Sequence, residues 1–211
     1  MPLSDPLTLD PNQHQPDTAL RLLKEGNARF VGGETVEHDV QEAIRATSTG
    51  QAPFVAVLSC IDSRVPVETI FDLTIGHAFS VRVAGNVLGP DVLGSLEYAT
   101  AAAGTRLVVV LGHTNCGAVK GACDGVELGH VTDLVAKIRP SVEATTTEGP
   151  RTSANDAFVD DVAAANVRHV ADDLLDQSAV IAGLVGDGTV RVVSAVYDVR
   201  TGRVTFFDAA S

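Results

Sequence analysis

The 211-residue sequence contains no tryptophan, two tyrosines, seven phenylalanines and three cysteines. So few aromatic rings leave little with which to stack bases, the device of many single-strand nucleic-acid binders. Cys60, Cys116 and Cys123 are too few and too scattered for the disulfide framework of a small secreted domain, and no two of them form a C-x-x-C unit. Positive charge is also scarce. Fifteen Lys and Arg against 27 Asp and Glu give a formal charge of −12, which repels nucleic acid and anionic membranes at long range. No uncharged apolar run reaches the roughly 18 residues of a membrane-spanning helix. The opening MPLSDPLTLDPNQHQPD lacks both the basic and the apolar segment of a secretory signal. The expected setting is therefore the cytoplasm, where thiols stay reduced and free to bind metal, with neither nucleic acid nor membrane as partner.

What is present is a chain of 45% hydrophobic residues, dominated by Val, Ala and Leu, long enough to hide roughly 70% of its unfolded surface. Residues 1–16 carry four prolines and read as a flexible arm; residues 17–211 read as a single domain. Asp17 or Thr18 caps a first helix with Leu20, Leu23, Asn27 and Phe30 on one face, and Gly32-Gly33 ends it. A short helix is expected within the polar stretch 34–50. Phe54–Ser59 and Leu107–Leu111 are apolar without alternation, as strands buried on both faces are. Between them, Pro66–Leu73 reads as a helix, Ala78–Val83 as a strand, and Pro90 opens a helix running to Gly104. Helices interrupted at Pro140 and at 145–155 extend to Val185. Val190–Val199 then turns at Thr201-Gly202 into Val204–Phe207. Strands alternating with helices imply an α/β fold: a mostly parallel sheet covered on both faces, with a C-terminal antiparallel edge strand.

Several familiar motifs fail. Gly112–Gly117 resembles the start of a phosphate loop, but Ala118 stands where Lys is required. Ser63 is not in G-x-S-x-G, and Gly183–Gly188 does not match G-x-G-x-x-G. What remains is Cys60 at the end of one buried strand and His113-x-x-Cys116 at the end of another. In a doubly wound sheet, loops beyond the carboxyl ends of neighbouring strands meet where the strand order reverses. Two thiolates and an imidazole make a three-ligand zinc set with a fourth position open. The simpler reading of Cys60 alone is a small buried side chain. Asp62 and Arg64, two residues apart, read either as a solvated ion pair worth about 0–1 kcal/mol or as a carboxylate held beside a metal by a forked guanidinium.

The sequence resembles the β-class carbonic anhydrases. Cys-Ile-Asp-Ser-Arg-Val at Cys60–Val65 is similar to that family's C-x-D-S-R-V, and Gly112–Gly117 to its G-H-x-x-C-G. Gly26–Phe30, Gly76–Asn86 with Phe79 and Arg82, Gly94–Tyr98, and Tyr197-Asp198 before Thr201-Gly202 extend the likeness over residues 18–208. The resemblance implies Cys60, His113 and Cys116 as zinc ligands, with Asp62 as an occasional fourth, and Asp62 and Arg64 as the catalytic dyad. It assigns Gln51, Phe79, Tyr98 and Gly117 to substrate binding, the aromatic pair partly across a subunit interface, although Phe79 and Tyr98 read equally well as core residues. Ala84 stands where some members carry Val. A regulatory bicarbonate site in some members uses a Trp three residues before the first cysteine. That position is Val57 here, so this site is expected to be absent or altered.

The implied activity is zinc-dependent reversible hydration of carbon dioxide to bicarbonate and a proton, by attack of zinc-bound hydroxide. The alternatives are hydrolysis of carbonyl sulfide or carbon disulfide on the same zinc, or a non-catalytic zinc-stabilised module. The resemblance also implies a homodimer or homotetramer. No proton shuttle is identified, and His77 and His130 read as structural.

Overall fold

A computed structural model of the chain describes residues 15–207. The arm expected at 1–16 lies outside the described residues except at its last two positions. There the first helix, α1 (Pro16–Gly32), has Gln15 at its N-cap, two residues before Asp17 and three before Thr18. Pro16 lacks the N–H that a first-turn residue leaves unused, and its ring presets the helical φ, so no side-chain cap is needed. Gly33 ends α1 in the left-handed region at φ 70°. Next comes α2 (Val40–Thr47), capped by the Asp39 side chain on the Glu42 N–H.

Strands β1 (Val55–Ser59), β2 (Ala78–Arg82), β3 (Leu107–His113), β4 (Arg191–Tyr197) and β5 (Val204–Phe207) form one sheet in the order β2-β1-β3-β4-β5. The first four are parallel and β5 is antiparallel to β4. The missing alternation in β1 and β3 is explained by burial on both faces. Val55, Val57, Leu107, Val109 and Leu111 pack against Leu20, Leu23 and Phe71 on one side. Ala56, Leu58, Val108 and Val110 meet Leu96, Val167, Val170 and Ile181 on the other. Each such large side chain, when fully buried, contributes about 1.5–3 kcal/mol.

The connecting helices depart from expectation in two places. The helix expected over Pro66–Leu73 is a single turn, α3 (Val67–Ile70), because Asp72 takes a left-handed φ of 51° and breaks the backbone ladder. The helix expected from Pro90 to Gly104 runs as α4 (Pro90–Glu97) and then widens into a π turn over Tyr98–Ala102. After β3 come α5 (Gly117–Asp124), α6 (Gly129–Ala136), α7 (Arg139–Ala144), α8 (Asp156–Gln177) and α9 (Ala179–Gly186). Pro140 sits in the first turn of α7, where it opens a helix rather than interrupting one.

After β1 the chain goes to β2 on one side, then crosses back to β3 on the other. The strand order therefore reverses between β1 and β3, and their carboxyl ends leave a crevice. A separate cluster of Val87, Val119, Ile138, Phe158, Val159, Val162 and Ala163 packs around that point and includes Cys60 and Cys116.

Candidate metal centre

Cys60 is the first residue past β1, and His113 is the last of β3. Ser59 pairs with Leu111, so the two strands deliver these residues at nearly the same level. Cys116 follows through a tight turn in which Asn115 takes a left-handed φ of 56°, and it becomes the N-cap of α5. One ligand atom from each of Cys60, His113 and Cys116 lies within 4.8 Å of the others. All three are buried, His113 completely.

The donor set fits zinc. His113 Nδ1 lies 2.9 Å from the Thr114 carbonyl oxygen. A carbonyl only accepts, so Nδ1 carries the proton and Nε2 presents a bare lone pair. That Nε2 is buried with no hydrogen-bond partner among the described residues, a cost that a metal ion removes. The two thiols are shifted in opposite directions. Contacts from Cys116 foremost, then from His113 and the Gly85 N–H, push Cys60 down. Cys116, beside that thiolate and desolvated, is pushed up. A dication between them stabilises both thiolates.

Next to this cage, Arg64 grips Asp62 by both oxygens: Nε to Oδ1 at 2.9 Å and an outer guanidinium nitrogen to Oδ2 at 2.7 Å, with the Arg64 backbone N–H on Oδ1 at 2.9 Å. The Arg64 guanidinium holds the Asp62 carboxyl well below the usual carboxylate range. Asp62 Oδ2 stands 3.9 Å from His113 Nε2, so the carboxylate borders the cage while committed to Arg64.

Of the remaining site residues expected from sequence, Gly117 lies beside the cage, whereas Gln51, Phe79 and Tyr98 do not gather there in one chain. Gln51 is exposed and precedes β1, at the strand end opposite Cys60. Phe79 lies on edge strand β2 opposite Ala56. Its ring meets Tyr98 edge to face, centroids 6.1 Å apart, and Tyr98 is 58% exposed. Gly117 starts α5 directly after Cys116, and a Cβ there would meet nothing within 4 Å.

The structure adds roles that the sequence reading did not assign. Arg82, named there only as part of the resemblance, donates to the carbonyls of Cys60 and Asp62, at 3.0 and 2.7 Å. Asp160 accepts the Asn115 N–H at 2.8 Å and pairs with Arg200. Asn166 donates to the Gly85 carbonyl at 3.1 Å. Only Asn166 carried a local signal: an amide on the apolar face of α8, among Val162, Ala163, Val167 and Val170.

Residues 55–204 match the family model described as carbonic anhydrase. Carbonic anhydrase 2 of Mycobacterium tuberculosis is 35% identical over 200 residues, covering 92% of this chain and 93% of that protein. The carbonic anhydrase of Mycolicibacterium smegmatis is 38% identical over 201 residues, covering 92% and 94%. Among solved structures, the β-carbonic anhydrase CafA of Aspergillus fumigatus superposes with a TM-score of 0.71 at 26% identity, covering 92% of this chain and 91% of that one. A tetrameric β-carbonic anhydrase of Sordaria macrospora shares the fold at TM-score 0.71 and 24% identity, covering 92% and 99%. The chain belongs to the β-class carbonic anhydrases, zinc-dependent enzymes that interconvert carbon dioxide and bicarbonate.

Proposed function

We propose that Cys60, His113 and Cys116 are this chain's zinc ligands, that Asp62 and Arg64 are its catalytic pair, and that carbon dioxide is preferred over carbonyl sulfide and carbon disulfide. The observation that carries this reading is the buried Cys-His-Cys cage, with a bare imidazole nitrogen, set against a carboxylate that a guanidinium clamps. When bound, zinc supplies a Lewis acid that lowers the pKa of water far enough to provide a nucleophile, less so with two thiolate ligands than with neutral ones.

The chain's own groups do the rest. The Thr114 carbonyl fixes the His113 tautomer. Arg64 keeps Asp62 ionised and engages both its oxygens, which holds it as a border of the cage rather than a fourth ligand. An ionised carboxylate only accepts, so Asp62 orients an O–H beside the cage: that of water in one direction, that of bicarbonate in the other. Gly117 leaves room for a small anion next to Cys116. Gln51, Phe79 and Tyr98 serve the substrate pocket across a subunit contact, in a homodimer or homotetramer. The expected location is the cytoplasm; among the described residues no helix is long and apolar enough to cross a membrane.

The purified protein is expected to hold one zinc per chain by elemental analysis and to hydrate carbon dioxide in a stopped-flow indicator assay. Asp62→Asn keeps the metal and loses about 10–100-fold in rate, whereas Cys116→Ala loses the metal. Negligible carbon dioxide hydration at neutral and alkaline pH, with turnover of carbonyl sulfide or carbon disulfide, overturns the substrate assignment. Wild-type rates in Asp62→Asn refute the role given to Asp62.

A further inference from the structure

We propose that Asn166 is a positioning residue for the metal cage, acting through the Gly85 peptide on the Cys60 sulfur; the inference rests on the zinc reading above. Past β2 the chain folds over the carboxyl end of β1 through a short turn in which Gly85 has φ 67° and ψ 15°. This left-handed geometry suits glycine, and a Cβ at Gly85 would stand 2.7 Å from Ile138 Cδ1. The turn aims the Gly85 N–H at Cys60 Sγ, 3.4 Å away. The carbonyl of the same residue accepts from Asn166 Nδ2 at 3.1 Å. Asn166 is 1% exposed, and its Oδ1 accepts in turn from the Ser141 hydroxyl at 3.4 Å. A line of donors thus runs from Ser141 on α7, through Asn166 on α8 and Gly85, to the sulfur.

Packing alone does not explain an amide at this position. Asn166 shares a face of α8 with Val162, Ala163, Val167 and Val170, where a leucine, branched at the same atom, removes two buried polar atoms that need partners. The amide is oriented by the Gly85 carbonyl, which only accepts: Nδ2 must face it, and Oδ1 then turns to the Ser141 hydroxyl, which donates. The carbonyl and the N–H of Gly85 belong to successive peptide planes that meet at its Cα; with Ile138 and Ala118 packed against that Cα, pinning the carbonyl restricts the turn and with it the swing of the N–H on the thiolate. A hydrogen bond to sulfur draws charge from it and weakens its donation to a metal. Two thiolates donate more charge than neutral ligands do, and this contact on Cys60 offsets part of that excess.

Cobalt(II) tests the proposal without recourse to turnover, because thiolate-to-cobalt charge transfer reports directly on sulfur. Wild type, Asn166→Leu, Ser141→Ala and Val170→Ala are loaded with cobalt(II), and their near-ultraviolet spectra and metal affinities by chelator competition are compared. Val170 is buried on the same helix, outside the donor line. Wild type is expected to show a thiolate-to-cobalt band at one metal per chain. In Asn166→Leu the band moves to lower energy, since the sulfur retains more charge, while affinity falls about 10-fold because the cage is no longer held in place, which outweighs the stronger donation. Ser141→Ala shifts the band in the same direction by less. Val170→Ala lowers the melting temperature and leaves the band in place. An unshifted band in folded Asn166→Leu, or an equal shift in Val170→Ala, overturns the proposal. Should Asn166→Leu not fold, Ser141→Ala decides, and a band coincident with wild type overturns it. Absence of any thiolate-to-cobalt band in wild type removes the zinc reading as well.

Discussion

Gly26 faces the carbonyl of Phe71 so closely that a Cβ would lie 1.9 Å from its oxygen. The neighbour is backbone, which cannot swing aside as a side-chain tip can. Gly26→Ala is therefore expected to cost about 3 kcal/mol, the upper end for overpacking, and to lower the melting temperature by roughly 6–12 °C. A calorimetric scan checks this; a decrease within about 2 °C shows that α1 can move off the Phe71 segment without penalty. The Gly26–Phe30 motif was visible in the sequence, but the reason for its glycine was not, because Phe71 is 45 positions away along the chain. The residues proposed as metal ligands behaved differently. Cys60, His113 and Cys116 were legible because soft donors at the ends of unbroken apolar strands have few other places to go. Arg82, Asp160 and Asn166 act through backbone groups of loops far from them in sequence, and no spacing rule records such contacts.

The β4–β5 hairpin shows how an element depends on a single carboxylate. Asp198 accepts from the Arg200 N–H at 2.8 Å, Thr201 Oγ1 at 3.0 Å and Thr114 Oγ1 at 3.3 Å, so it joins the turn to the residue after His113. These donors, the Arg200 N–H first, hold its carboxyl below the usual value. A depressed folded pKa means the stabilisation is complete above the unfolded carboxylate value, about 3.9, and is lost as pH falls through the lower folded value. The stability gap between wild type and Asp198→Asn should accordingly be largest near pH 7 and narrower at about pH 3. Urea titrations at the two pH values measure it, and a gap independent of pH refutes the assignment. The turn itself was readable from Thr201-Gly202. The shortened α3 and the π turn after α4 were not: the first follows from Asp72 at positive φ, a conformation that neighbouring residues do not impose. Asp72 is secured instead by Arg29 and the Val36 N–H, from elements apart in sequence.

Across the whole molecule, the cage and the residues proposed for its pocket lie at different places on one chain. Cys60 and Gln51 stand at opposite ends of β1, while Phe79 and Tyr98 line an open cleft of about 600 Å³ beside the β2 edge. A two-fold contact through such an edge buries one patch against its own copy and offers each chain's pocket residues to the other's cage. The proposal has a consequence that subunit exchange can read. Asp62→Asn damages the cage half of a site, and Gln51→Leu the pocket half. Each variant alone carries the same lesion in both sites of its dimer. In a mixed dimer one site receives both lesions and the other receives neither. Random exchange makes half of the dimers mixed, so the mixture should recover about a quarter of wild-type hydration activity, well above the average of the two variants. Because each chain carries a charge of −12, exchange is best run at or above roughly 0.15 M salt, where the screening length is about 8 Å and the chains repel least. Native mass spectrometry confirms that mixed dimers have formed. If they have formed and activity stays at the average of the two variants, each site is complete within one chain, and Gln51 has no place in a partner's pocket.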